Sequence, residues 1–225
     1  MRRMGFLRDN WFRLGVFAFA CMAFWVLFLG DGMDRTQRLL LASLMVLPIH
    51  QFEEYQMPGG GPVVINRYFY GEKELFRHYP GNWGSIMVVN LSAYVFYALA
   101  LVFPRLVWLG LATMLFNLCQ VLGHCVQMNV KMRTWYNPGM ATTLLLFLPI
   151  SCAYIAHVMG AGMVGASDWA LAVVVFVAIA ALTVVLPVQG LKRRDSSLDI
   201  PQWQVDRLER VRALASVGRG EGGRR

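Results

Sequence analysis

Six apolar runs, each close to 20 residues long, dominate this 225-residue chain. A helix of that length spans about 30 Å, the thickness of a bilayer's hydrocarbon core. The runs fall at 11–29, 36–56, 84–103, 106–127, 138–160 and 167–188. Helix-stopping residues punctuate them: Gly30-Asp31-Gly32, then Pro58-Gly59-Gly60-Gly61-Pro62, Pro104, and Asn137-Pro138-Gly139. In the last of these, Asn137 is expected as the N-cap of the fifth span and Pro138 as its first helical residue. Hydrophobic residues make up 57% of the chain and charged residues 15%. A soluble domain has about 45–50% and about 25%. A chain of this size cannot hide the surplus from water, so it must face lipid. The fold expected is all-α: a polytopic six-helix transmembrane bundle over residues 1–190, then a basic cytoplasmic tail over 191–225. This excludes a soluble globular enzyme, a disordered chain and a disulfide-stapled secreted module. Cys21, Cys119, Cys125 and Cys152 all fall inside apolar stretches without a Cys-x-x-Cys pair, as small buried apolar residues do.

Six spans place both termini on one side. Of the 21 Lys and Arg residues, only Arg35, Arg38 and Arg105 belong to the opposite side. The positive-inside rule therefore puts both termini in the cytoplasm, and a bacterial inner membrane is the expected location. Within 200–217, Trp203, Leu208, Val211, Leu214 and Val217 alternate with Arg207, Arg210 and Arg212. That spacing predicts a basic amphipathic helix on anionic lipid headgroups. Gly218 to Arg225 reads as a disordered end. No nucleic-acid recognition motif accompanies the basic tail, so no nucleic-acid partner is expected.

Ionisable groups inside a span are costly and need a partner, a water cavity or a metal. The second span carries Pro48-Ile49-His50-Gln51-Phe52-Glu53-Glu54 near its cytoplasmic end. His50 shares a helix face with Glu53 at i+3 and with Glu54 at i+4. Neighbouring side chains diverge by about 100°, so one carboxylate is free to ligate while the other orients the histidine or moves a proton. The fourth span brings Asn117, Gln120 and His124, three and then four residues apart. The third brings Asn90, and the fifth brings its N-terminus with Thr142 and Thr143. All reach one layer in the cytoplasmic half. His157 belongs to the opposite end. His78 sits in the aromatic-rich loop 57–83, as a solvated residue or part of a lid.

Two imidazoles and two carboxylates suit a first-row divalent ion, zinc or iron, held by His50, Glu53, Glu54 and His124. Asn90, Asn117, Gln120 and Asn137 are the candidate substrate-binding residues, and Glu53 and Glu54 the candidate catalytic ones. The order and spacing differ from those of the HExxH zinc proteases.

Three features resemble the HXXEE-domain membrane proteins: His50-Gln51-Phe52-Glu53-Glu54, the later buried histidine His124, and the Tyr-x-Pro-Gly run Tyr136-Asn137-Pro138-Gly139. The resemblance spans roughly residues 36–160. It implies a helical membrane domain with these motifs at its site, and no particular substrate.

Two function classes follow. One is a membrane-embedded metal-dependent hydrolase or oxidoreductase, acting on an amphiphilic, lipid-like substrate at the cytoplasmic side. The other is a non-catalytic ligand-binding or transport protein with a structural His/Glu cluster. The outer halves of the spans offer mostly isolated hydroxyls such as Ser43, Thr113 and Ser151, which disfavours a continuous ion path.

Overall fold

A computed structural model describes residues 2–218. Those residues are helical or loop, with one isolated backbone bridge between Thr134 and Ser216. The long helices are α1 (Arg2–Leu29) and α2 (Arg35–Tyr55). A short α3 (Gly61–Val63) runs into a wide turn over Val64–Phe69, and α4 covers Trp83–Val102. Then come α5 (Val107–Met132), α6 (Met140–Gly160) and α7 (Ala166–Leu191). Helix α8 (Gln202–Ala215) closes the chain. Residues 219–225, most of the disordered end read from the sequence, lie outside the described residues.

Among the described residues, five helices are long and apolar enough to cross a membrane: α1, α4, α5, α6 and α7. That is one fewer than the six apolar runs predict. Helix α2 forms where expected but carries Arg35, Arg38, Glu53 and Glu54, which removes it from the set. It is a helix for protein surroundings: α1, α4 and α6 pack against it, and Pro48, His50, Gln51, Glu53 and Glu54 are all buried. Gly15 of α1 lets the backbones close there, since a Cβ on it would stand 3.1 Å from the Pro48 ring. By contrast α1 leaves Phe17, Phe24 and Phe28 uncovered.

The core is stacked in three layers. Leu40, Leu111, Met114 and Tyr154 fill the layer near the short connections 30–34, 103–106 and 161–165. Val46, Tyr97, Phe116, Phe147 and Ile179 fill the middle. Trp11, Phe12, Tyr55, Trp83, Met132, Ile200 and Leu208 fill the layer at the basic end.

The tail helix forms as predicted, but much of its apolar face packs on the protein. Leu208 and Val211 are buried, whereas Leu214 and Val217 stay exposed. Gly60, at φ +99°, passes so close to Leu208 that a Cβ would come within 2.8 Å. Gln204, fully buried, accepts from the Gly60 N–H and donates to the Tyr55 carbonyl at 2.8 Å. Trp135 N–H donates to the Ala215 carbonyl at 3.0 Å and Val217 N–H to the Arg133 carbonyl at 2.9 Å. The tail therefore clamps both long loops of this end. Gln204→Ala leaves two buried backbone groups unpaired, at about 1–3 kcal/mol each. The expected result is a lower unfolding temperature in detergent and protease cleavage within 191–218. A variant as heat-stable and protease-resistant as the parent would show that the clamp contributes nothing.

His78 is part of the same stitching. Its Nδ1 lies 2.8 Å from Asp199 Oδ1 and its Nε2 3.0 Å from the Arg194 carbonyl. It is tied to the tail, neither freely solvated nor a lid.

Candidate metal centre

Near its end, α2 runs past the start of α6, and its Glu54 reaches His124 near the end of α5. His50, Glu54 and His124 meet there, with one ligand atom of each within 4.8 Å of the other two. Glu54 Oε1 lies 3.4 Å from His124 Nε2, and Glu54 Oε2 lies 3.7 Å from His50 Nε2. Those separations are long for hydrogen bonds. They are the scale of one ion's ligands: donors about 2.05 Å from a tetrahedral ion stand about 3.3 Å apart. The two imidazoles meet edge to face, with ring centroids 5.1 Å apart, and His50 packs on Phe147. His124 lies in a wide turn of α5 over Gly123–Met128, and a second wide turn, Thr143–Phe147, follows Thr142 in α6. Such turns recur at functional sites because they re-aim side chains that a regular helix would stack.

Neighbouring groups fix the protons on both rings. Thr142 Oγ1 gives its single proton to the Glu53 carboxylate, a stronger acceptor than the Gly139 carbonyl 3.2 Å away. It must therefore accept from His50 Nδ1, 3.0 Å away. Asn137 spends its amide protons on the His124 carbonyl and on Asn129 Oδ1, both at 2.7 Å. Its oxygen, 2.8 Å from His124 Nδ1, is thus an acceptor. Both rings carry a proton on Nδ1 and turn Nε2 toward Glu54. His50 Nε2 is buried with no hydrogen-bond partner. With Nε2 unprotonated, the two rings and the Glu54 carboxylate would face one point as an acceptor-only cradle, the donor set that a divalent cation takes. Among the described residues no Lys or Arg lies within 4 Å of the Glu54 carboxylate.

The two adjacent glutamates part company. Glu53 Oε1 accepts from Tyr136 OH at 2.8 Å and from Ala141 N–H at 3.0 Å. Glu53 Oε2 accepts from Thr142 N–H at 2.8 Å and from the Thr142 hydroxyl. Four donors saturate it, so it stands apart from the cluster of His50, Glu54 and His124 that the structure brings together. The free N–H groups of α6's first turn do bind an anion, and that anion is Glu53. Burial and the Glu53 charge push the Tyr136 phenol's pKa well up, keeping it a donor.

The Tyr-x-Pro-Gly run accounts for most of this support. Tyr136 holds Glu53, and Asn137 holds His124. Gly139, at φ +99°, lies against both rings: a Cβ there would stand 2.4 Å from His124 Cε1 and 2.9 Å from His50 Cε1. Gly139, not Asn137, occupies the cap position, and α6 begins at Met140 instead of Pro138. What the sequence reading missed are the roles of Tyr136 and Gly139; their appearance in a short run with Asn137 was the available signal.

The other polar candidates serve elsewhere. Asn90 donates to Tyr55 OH at 2.8 Å and to the Ile86 carbonyl, and its own carbonyl accepts from Gln51. Asn117 donates to Ser43 and Ser151 and accepts from Tyr97 OH, joining four helices in the middle layer. Gln120 is half-buried and belongs to neither group. Thr143 donates to the Gly139 carbonyl. His157 lies at the far end, 3.2 Å from the Thr36 hydroxyl.

A family profile described as "Protein of unknown function with HXXEE motif" matches residues 41–154. That is half of the chain, and it contains every residue of the centre. The chain belongs to the HXXEE family. No curated protein and no solved structure matches it. In this HXXEE chain the motif's His and second Glu face the centre, and its first Glu anchors the start of α6.

Proposed function

We propose that this HXXEE protein is a membrane-embedded, metal-dependent enzyme. In this reading His50, Glu54 and His124 hold a divalent ion, zinc or iron. The observation that carries it is the acceptor-only cradle, above all the buried, unpartnered Nε2 of His50. Two neutral imidazoles and one carboxylate from this chain leave a coordination position open, which is the habit of catalytic sites. When bound, the ion supplies an acidified water or an oxygen-activating centre. Access is from the Glu54 side. The Glu54 side chain keeps 12% of its surface exposed, the His50 and His124 side chains only 2%. Thr142 and Asn137 hold both rings in the ligating tautomer, as supporting residues of metal sites do.

Helix α2 completes a six-span bundle, shielded by the other helices, with the basic end and both termini in the cytoplasm of a bacterial cell. The centre then lies just below the inner headgroups. An amphiphilic substrate keeps its tail in the bilayer while its polar group reaches the ion, and hydrolysis or oxidation follows. Elemental analysis of the purified chain is the test. About one divalent ion per chain is expected, bound as found or after exposure to Zn²⁺ or Fe²⁺. A chain that holds neither is a proton-held His/Glu cluster, and the metal reading fails.

A further inference from the structure

At the basic end, α1, the start of α4 and the tail border a half-open cavity of about 420 Å³. Trp83 and Trp203 wall it, and Arg8, Asp9, Arg13 and Asp199 line it. Its acids are already engaged. Asp9 accepts from Arg8 at 3.1 Å and from the Trp83 indole at 2.9 Å. Asp199 is met by His78 at 2.8 Å and by Arg77 at 3.8 Å. Arg13 meets neutral partners: its Nε donates to Gln56 Oε1 at 3.1 Å and its Nη1 to Asn10 Oδ1 at 3.0 Å. Arg207 reaches the same Gln56 from the tail, donating to its carbonyl, with its guanidinium 4.6 Å above the Trp203 ring. Among the described residues neither guanidinium has a carboxylate within 4 Å. Burial, with the Arg13 and Arg210 charges nearby, lowers the Arg207 pKa.

Arg13 lines the cavity, and Arg207, outside its lining, meets the same Gln56; two such cations without a carboxylate partner fit a phosphate, which guanidinium groups recognise with paired donors. The surroundings say which phosphate. Phe6, Leu14 and Phe17 of α1 lie exposed along the helix that forms one wall, offering apolar surface for acyl chains. Tryptophans favour the headgroup level. We propose that this cavity binds the phosphodiester headgroup of an anionic phospholipid, with Arg13 on the phosphate, Arg207 adding its charge from its place against Trp203, and Trp83 and Trp203 beside the glycerol. The site is separate from the metal centre and stands or falls without it.

The test uses the full chain in a mild detergent, with its unfolding temperature followed against dihexanoyl phosphatidylglycerol, dihexanoyl phosphatidylcholine and inorganic phosphate. Saturable stabilisation by phosphatidylglycerol is expected, with weaker stabilisation by phosphatidylcholine and none by inorganic phosphate at the same concentrations. Arg13→Gln and Arg207→Gln each weaken the phosphatidylglycerol effect by about fivefold. Arg207→Gln also touches the tail clamp. Arg13→Gln, whose partners are two side chains, decides the matter if the other variant unfolds. Equal stabilisation by inorganic phosphate would make this a free-anion site, equal stabilisation by phosphatidylcholine would remove the anionic preference, and an Arg13→Gln protein that binds phosphatidylglycerol like the parent would end the proposal.

Discussion

Glu54→Gln is expected to abolish metal binding at the proposed centre, and Glu53→Gln to weaken it. The two glutamates are adjacent and chemically identical, so composition alone gives no reason for them to differ. The difference lies in what surrounds each. Glu54 is the one anionic member of the cradle. Its amide analogue keeps the shape, removes the charge and turns an N–H pair toward two lone pairs. His50→Ala and His124→Ala remove a ligand outright, so all three variants should lose the ion and any turnover that depends on it. Glu53 instead acts through Thr142 on the His50 tautomer. Loss of such a supporting group lowers metal affinity by about 10–100-fold. It also strips the N-terminus of α6 of its anion, so the Glu53→Gln protein should unfold at lower temperature. Metal content after dialysis against a graded chelator, read beside the unfolding temperature, separates the cases. Full metal in Glu54→Gln, or an empty but heat-stable Glu53→Gln, would reverse these assignments.

That contrast marks how far the sequence could be read. Depth along a helix is written in it, because each residue advances the chain by 1.5 Å. His50, Asn90 and His124 were therefore legible as neighbours in height once the spans and their directions were known. Rotation about the helix axis is not written there; packing sets it. Asn90 has the expected height but turns toward Tyr55, and Asn117 turns toward Ser43, Tyr97 and Ser151. The 100° divergence of Glu53 and Glu54 predicted that they would take different roles. Which took which depended on where the first turn of α6 came to rest. Helix α2 shows a similar limit: its length reads as a span, while its burial among α1, α4 and α6 is a tertiary property. So does α8, whose amphipathic pattern was plain but whose Leu208 found Gly60.

Gly139→Ala is expected to damage the fold and the centre together, which no ligand substitution does. At φ +99° an alanine costs about 1–2 kcal/mol in backbone strain alone. Its methyl carbon would lie 2.4 Å from His124 Cε1 and 2.9 Å from both His124 Nδ1 and His50 Cε1. Neither ring is the loose end of a flexible chain. His124 is pinned through Asn137, and His50 through Thr142 and Phe147. Relief therefore requires the loop 133–139 to back away, which pulls Tyr136 off Glu53 and strains the tail's bonds to Arg133 and Trp135. The unfolding temperature should fall by more than in His124→Ala, which removes one of the clashing rings. Adding His124→Ala to Gly139→Ala should then recover part of the lost stability without recovering metal. A double variant no more stable than Gly139→Ala alone would mean that backbone strain, and not the two imidazoles, is what demands glycine at this position.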